Sequence, residues 1–478
     1  MSSRPLSSSR PLPFLSPGLV AGLGVPLSLV IGLLMARNVG AGIGTTLALV
    51  YTPIALLSLP IAIALWVPIA FIALLPFVWV GPTAASAVIF IAWLGTLRSG
   101  AAARAQVLRT HAWLLAAMAL YVVWATLSLL WAADSGRAAA DLYVWYVAGL
   151  VLAIVMTTIV TPGHVRLIMA AVVIGGVLSV TAGLATASLT PTQSALSSAA
   201  EVQGRLAGGS ADPNYLAAGL VPAIVLAAAL MGSTRNPLLR FGLLISMAVM
   251  GIGLAETQSR GGLLAGLVAV VGSLIVFKRH RGRVMMAVAV VVAMAAVFFA
   301  TTPGAWQRVT SLDGGGNGRS DLWTVAWRIA GDHPITGVGL DNFVFQEKHF
   351  VQRPGQLTSV DLIVEKPHVV HSVYLQALAE LGIVGLILLV TVMLGCVGAT
   401  HRAIRRFDAR GQPELATLAR ALLIAQLAIL VAEVFLSDGD DQRFWLLFAL
   451  GPVLASLALR GGPAVRRGER PAPATGLR

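Results

Sequence analysis

The chain has 478 residues, of which 57% are hydrophobic and only 11% charged, and its mean hydropathy is +0.85. A water-soluble domain cannot hide that much apolar surface, so composition excludes a soluble fold and points to a chain solvated by lipid. The formal net charge of +13 would suit nucleic acid, but Lys and Arg sit in short segments between apolar runs, which is the pattern of membrane topology signals. No nucleic-acid partner is expected. The single cysteine, Cys396, lies inside an apolar run, which excludes a disulfide framework and a thiol metal site.

A spanning helix takes about 20 mostly apolar residues. Apolar runs cover 18–36, 43–59, 61–78, 82–97, 111–132, 140–160 and 164–186, then 213–231, 238–257, 260–277, 284–301, 371–397, 416–437 and 441–459. The first is too long and too weakly punctuated for a cleaved signal peptide and reads as an uncleaved helix. The Pro-containing block from Tyr51 to Val80 admits two full spans or partly re-entrant pieces. The sequence therefore predicts an all-α polytopic membrane protein of about 12–14 transmembrane helices.

Four regions are expected: a helix bundle over 1–301, one large extracytoplasmic loop over 302–370, C-terminal transmembrane helices over 371–459, and a basic tail over 460–478. A second, shorter outer connection runs from about Thr186 to Asp212. Within the large loop, Arg319 to Ala330 reads as an amphipathic helix with Leu322, Trp323, Ala326, Trp327 and Ile329 mainly on one side. Its tryptophans favour the lipid headgroup boundary.

Charge gives orientation independently of the helix count. One set of connections carries Arg98, Arg104, Arg109, Arg235, Arg240, the cluster from Lys278 to Arg283, then Arg402, Arg405, Arg406 and Arg410. The opposite set carries Asp134, Asp141, Glu201, Asp212, Glu256, Asp438, Asp440 and Asp441. The positive-inside rule puts the basic set and both termini in the cytoplasm.

The outer side holds a few basic residues at unusual places. Arg260 lies in Gln258-Ser259-Arg260-Gly261-Gly262, where an apolar run begins. With Ser259 as N-cap, free backbone N–H groups and a guanidinium come together, an arrangement suited to phosphate. A snorkelling arginine is the plain alternative. His371 opens the run His371-Ser372-Val373-Tyr374-Leu375, where the helix dipole favours a neutral imidazole able to accept a proton from a hydroxyl. His368 is a rival for that role. Arg319 and Arg205 are candidates for a second guanidinium on a diphosphate.

Glu380 and Glu433 are carboxylates inside apolar runs, where they need partners or a task. Ser437-Asp438-Gly439-Asp440-Asp441 resembles a divalent-metal cluster, but an acidic outer loop is the expected reading, and no metal or cofactor is assigned. There is no Walker loop, HExxH or dinucleotide fingerprint to support cytoplasmic nucleotide chemistry.

The order of the motifs carries more than any one of them. Asp212-Pro213-Asn214-Tyr215-Leu216-Ala217 and Ser259-Arg260-Gly261-Gly262-Leu263 are followed by Gly318-Arg319-Ser320-Asp321-Leu322-Trp323. His333-Pro334-Ile335-Thr336-Gly337-Val338-Gly339 then leads to Asp341-Asn342-Phe343, and His371-Ser372-Val373-Tyr374 runs on to Glu380-Leu381-Gly382. This series resembles the O-antigen ligase and O-antigen polymerase superfamily.

The resemblance implies a GT-C-like helical fold and a metal-independent, inverting glycosyltransferase of the bacterial cytoplasmic membrane. Such an enzyme takes a glycan from an undecaprenyl-diphosphate carrier and transfers it to a glycan or glycolipid acceptor on the outer face. It implies membrane lipids as surroundings and an upstream flippase for the donor. The family's essential histidine maps onto His371 and its two essential arginines map best onto Arg260 and Arg319. Arg205, His368, Tyr374 and Asn214 stand as substrate-binding candidates. Where many relatives have His-Asn, this chain has His371-Ser372. A secondary transporter is the reading from another class, disfavoured because no paired, broken half-repeats are visible.

Overall fold

The computed structural model describes residues 32–33, 35–37, 39–72, 80–97, 102–189, 204–210, 212–277, scattered positions from 281 to 299, and then 300–310, 318–351, 357 and 368–460. Those residues are helical with connecting turns, and among them there is no strand. The helices are α1 (Val39–Leu57), α2 (Leu59–Phe71), α3 (Val80–Thr96), α4 (Ala102–Leu127), α5 (Ser135–Thr158), α6 (Pro162–Leu189), α7 (Pro213–Ser233), α8 (Pro237–Glu256) and α9 (Arg260–Val276). The segment between α9 and α13, called the outer segment for its place outside the long apolar helices, holds α10 (Pro303–Thr310), α11 (Arg319–Asp332) and α12 (Phe343–Val351), and the chain continues with α13 (Val373–Ala409), α14 (Pro413–Ala432) and α15 (Gln442–Arg460).

Among the described residues eight helices are long and apolar enough to cross a membrane: α4 to α8 and α13 to α15. Four shorter apolar helices (α1, α2, α3 and α9) add to them. The expected runs at 18–36 and 284–301 fall almost wholly outside the described residues. The Pro-containing block resolves into α1 and the short α2 on either side of Ser58. An apolar exterior confirms the solvent: Leu238, Phe241, Leu244, Ile245 and Ile252 of α8 are about half exposed or more, a patch that water would not tolerate.

Helix starts follow from local chemistry. Asp134, Asp212, Asn236 and Ser259 each accept from a backbone N–H of the first turn they precede, and Pro213, Pro237 and Pro413 occupy first positions where no N–H is needed. At the centre α13 packs against α15, α14 and α4, while α7 packs against α14, α8 and α6.

The two ends of the bundle differ in charge. At one end Arg166 pairs with Glu414, Arg420 with Asp408, and Arg460 donates to the Val160 carbonyl. At the other end lie the turns at 131–134, 204–212, 257–259, 333–342, 368–372 and 433–441, tied to one another by long-range bonds. Val373 N donates to Glu433 O (3.0 Å), Leu206 N to Glu256 O (3.0 Å) and Tyr215 Oη to Ser437 O (3.3 Å).

The outer segment has its own small core of Leu322, Val325, Ala326, Ile329, Val338, Phe343 and Phe350. The apolar face of α11 is therefore 322, 325, 326 and 329. Trp327, placed on that face from the sequence, instead points outward at 60% exposure, while Trp323 turns toward Phe435 with ring centroids 6.0 Å apart.

This core is pinned to α13 through a break in that helix. Gly382 has φ 66 and ψ −168, which interrupts the helical ladder and frees its neighbours' backbone groups. Each finds a partner: Val338 N donates to Ala379 O (3.0 Å), Gly339 N to Glu380 O (2.8 Å), Trp124 Nε1 to Leu381 O (2.8 Å), and Ile383 N to Pro334 O (2.8 Å). The His333–Gly339 motif thus docks edge-on against Glu380-Leu381-Gly382, with Gly337 close enough to the Glu380 backbone that no Cβ would fit.

Candidate active site

The N-terminus of α9 is built by a chain of polar contacts. Ser259 Oγ accepts from Gly262 N (3.1 Å) and donates to Asn214 Oδ1 (2.8 Å). The same Asn214 oxygen accepts from Arg205 Nη2 (3.1 Å), and Arg205 Nε donates to Thr257 O (2.8 Å). Asp212, in turn, caps α7 and fixes Asn214 by accepting its N–H (2.6 Å). The two upstream motifs are therefore one unit, in which Asn214 links the loop before α9 to the start of α7.

Beside this unit is a narrow cleft lined by Asn214, Ser259, Gly261, Gly262, Arg319, Phe435 and Leu436. Arg319, at the first position of α11, thus lines one cleft with the N-terminus of α9 across some 60 residues of sequence. Arg260 opens α9 half-buried, one residue before the cleft-lining Gly261.

His371 stands one residue outside the helix, because Ser372 is the N-cap of α13 and helical geometry begins at Val373. Its backbone is held at φ 55, a left-handed conformation that costs a non-glycine residue about 1–3 kcal/mol. Burial, then the Arg319 guanidinium and His368, push the His371 imidazole down to about 4. The ring is neutral at pH 7, as the sequence suggests, but burial and a neighbouring positive charge bring this about. Of the neighbouring charges that act on His371, the Arg319 guanidinium is the largest.

The segment before His371 is anchored from beneath. Glu347 of α12 is fully buried, and its Oε1 accepts from His368 N (3.2 Å). Burial, offset in part by that bond, raises the Glu347 carboxyl to about 7. Asn342, also fully buried, accepts from Asp134 N (2.7 Å) and donates to Asp134 O (3.1 Å), fastening the outer segment to the start of α5.

Across some 245 to 390 the chain matches the family model described as O-antigen ligase, over residues 245–390. This region is similar to the O-antigen ligase family. It includes Arg260, Arg319 and His371, and it supports membership of the O-antigen ligase/polymerase superfamily. Among curated proteins none matches the chain.

The structure brings Arg319 and Ser259 of the matched region to one cleft with Asn214, which lies before it, and the Arg319 charge acts on His371. It uses Arg205 to hold the Thr257 carbonyl and Asn214, on the support of the cleft rather than its wall. The Tyr374 hydroxyl donates to Leu430 O (2.8 Å), tying α13 to α14. His368 lends its backbone N–H to Glu347.

Sequence reasoning missed Glu347, Asn342, Phe435 and Leu436. Only Asn342 carried a signal, from its place in Asp341-Asn342-Phe343. In the acidic loop, Asp441 is gripped by the Arg443 guanidinium, with Nε to Oδ2 at 2.7 Å. Among the described residues no group of three or more His, Cys, Asp or Glu side chains gathers as metal ligands do.

Proposed function

We propose that the protein transfers a glycan from an undecaprenyl-diphosphate carrier to an acceptor hydroxyl on the outer face of the cytoplasmic membrane. The observation that carries this reading is the cleft that Arg319 lines with the amide-bearing N-terminus of α9, with the Arg319 charge acting on His371, all three in the region similar to the O-antigen ligase family. Free N–H groups and a guanidinium are the recognition chemistry of a diphosphate.

The chemistry that follows is a single displacement. The acceptor oxygen attacks C1 of the donor sugar, its proton passes to the His371 imidazole, and the C1–O bond to the diphosphate breaks with inversion. Arg319, the α9 amides and Arg260 take up the charge left on the leaving group. A diphosphate needs no general acid, so the site requires a base and cations rather than paired carboxylates.

The basic end of the bundle would face the cytoplasm and the site the periplasm, so another protein must flip the donor across the membrane. Whether the acceptor is a glycolipid or a second carrier-linked glycan separates a ligase from a polymerase.

Purified protein in lipid vesicles, given an undecaprenyl-diphosphate glycan and a glycolipid acceptor with EDTA present, should transfer the glycan. His371→Ala should abolish transfer while leaving the unfolding temperature near that of the wild type. Absence of transfer to every glycan and glycolipid offered, by a folded protein, would sink this reading.

A further inference from the structure

On the far side of the 435–440 loop from the arginine cleft lies a cavity of about 120 Å³. One water needs only ~10–15 Å³, so this space suits a ring-sized polar group. Its wall carries four carboxylates: Asp141 of α5, Asp341, Glu380 of α13 and Asp440. Glu380 is held by the Asp341 N–H (3.0 Å) and by Gln376. Among the described residues the ion pair that reaches this wall is Arg137 with Asp341 (2.6 Å). Burial pushes Asp440 up to about 6 and raises Asp341, so the wall is rich in carboxyl groups rather than strongly charged.

Two further observations point to a ligand. The Ser437 hydroxyl is buried on this wall and has no hydrogen-bond partner among the described residues, which is costly for a buried hydroxyl unless something else fills the role. The indole of Trp145 adds a flat apolar side, its ring held by Tyr121 (centroids 4.7 Å apart) and Trp445 (6.4 Å). Yet the carboxylates do not converge as metal ligands do. They are spread around a void, as acceptors for a molecule with several hydroxyl donors would be.

Position gives the cavity its meaning. Val369 and Val373, on either side of His371, both line it. Phe435 and Leu436 line the arginine cleft, while Ser437, Gly439 and Asp440 line the cavity. An arginine-lined cleft and a carboxyl-lined cavity thus share one loop as a wall, and the cavity reaches the segment that carries the base.

We propose that this cavity seats the acceptor sugar, a non-phosphorylated pyranose whose hydroxyls donate to Asp141, Asp440 and Ser437 with a face against Trp145. This assignment rests on the transferase reading above. The carboxyl-rich wall offers no free cation to a phosphate among the described residues, so it disfavours phosphorylated sugars and leaves the donor diphosphate to the arginine cleft.

The test is equilibrium binding of two soluble probes, methyl glucoside and glucose 6-phosphate, to the detergent-solubilised full chain by saturation-transfer NMR. Transfer activity is measured in parallel. The neutral probe should bind saturably and at least ~10-fold more tightly than the phosphorylated one. The Asp141→Asn plus Asp440→Asn variant should weaken the neutral probe by roughly 10-fold or more and erase the discrimination. Ser437→Ala, which adds no charge and removes no packing, should weaken it by a few-fold, which keeps the question answerable if the double variant does not fold.

Equal binding of the two probes, no saturation by methyl glucoside, unchanged affinity in folded variants, or displacement of the probe by Na⁺ or Ca²⁺ would each overturn the proposal. Binding of the neutral probe by a protein that transfers nothing would instead sink the transferase reading and leave a sugar-binding cavity standing. Transfer without such binding would do the reverse.

Discussion

Placing a methyl group on Gly382 tests how the outer segment is coupled to the helix that carries His371. An ideal Cβ there would lie 2.1 Å from Ile335 O, 2.3 Å from Ile335 C and 2.8 Å from Thr336 N, all of them backbone atoms that cannot rotate aside. The backbone at φ 66 and ψ −168 lies in a region that is essentially glycine's alone, and forcing an L-residue into it costs about 1–3 kcal/mol. Overpacking adds roughly 1–3 kcal/mol.

Relaxation is blocked, because the neighbouring groups are engaged by Trp124 and Pro334, and giving up either bond costs about 1 kcal/mol. The sum, roughly 2–6 kcal/mol, is a large part of the 5–15 kcal/mol that holds a typical domain together. Gly382→Ala should therefore unfold at a markedly lower temperature in detergent and lose glycan transfer. Gly251→Ala in α8, where a Cβ would meet nothing within 4 Å, is the control and should be neutral or stabilising by about 0.5–1 kcal/mol. A Gly382→Ala protein that melts and works like the wild type would refute the argument that this break positions the site.

Other perturbations follow from the same geometry. With His371 lowered from 6.5 to about 4 in the folded protein, the unfolded chain binds its proton first as pH falls. This residue's contribution to stability is full above pH 6.5 and is lost as pH drops toward 4. Glu347, raised to about 7, works in the opposite sense over 4.5 to 7, so the difference between wild-type and His371→Gln melting profiles isolates the histidine, and no difference below pH 6.5 would contradict the assignment. Bound diphosphate should offset the Arg319 charge, so the acid limb of the rate should move to higher pH with donor saturating; a limb that stays put would separate Arg319 from the donor. Tyr374→Phe removes only the bond to Leu430 O, so it should cost about 0.5–1.5 kcal/mol of stability with the donor KM unchanged; a raised KM with unchanged stability would return Tyr374 to the substrate. Asn214→Ala strips Arg205 and Ser259 of a shared acceptor and should cost about 1–3 kcal/mol together with a raised donor KM, read by thermal unfolding and initial rates.

The sequence was sufficient for everything that depends on local composition. Hydropathy runs placed α5 to α9, α14 and α15 within several residues, because lipid-facing helices must be apolar all along their length, as the half-exposed leucines of α8 illustrate; α4 begins at Ala102 rather than 111 and α13 continues to Ala409 rather than 397, where polar residues extend the helix beyond its apolar run. Caps such as Asp212 and Ser259 acted where their residue types suggest, since an N-cap bond spans only two or three positions. The neutral state of His371 was also legible, though not its cause.

What the tertiary structure decided is which long-range partner each polar group takes. A one-dimensional pattern cannot tell that Arg205 is bound to Asn214 and Thr257, that the Tyr374 hydroxyl belongs to Leu430, or that Trp327 faces outward. Those outcomes rest on contacts between residues far apart in the chain. The same holds for the acidic cavity: Asp141, Asp341, Glu380 and Asp440 come from four separate stretches, and Asp341 reaches Glu380 because the 333–342 segment docks against the break in α13 at Gly382.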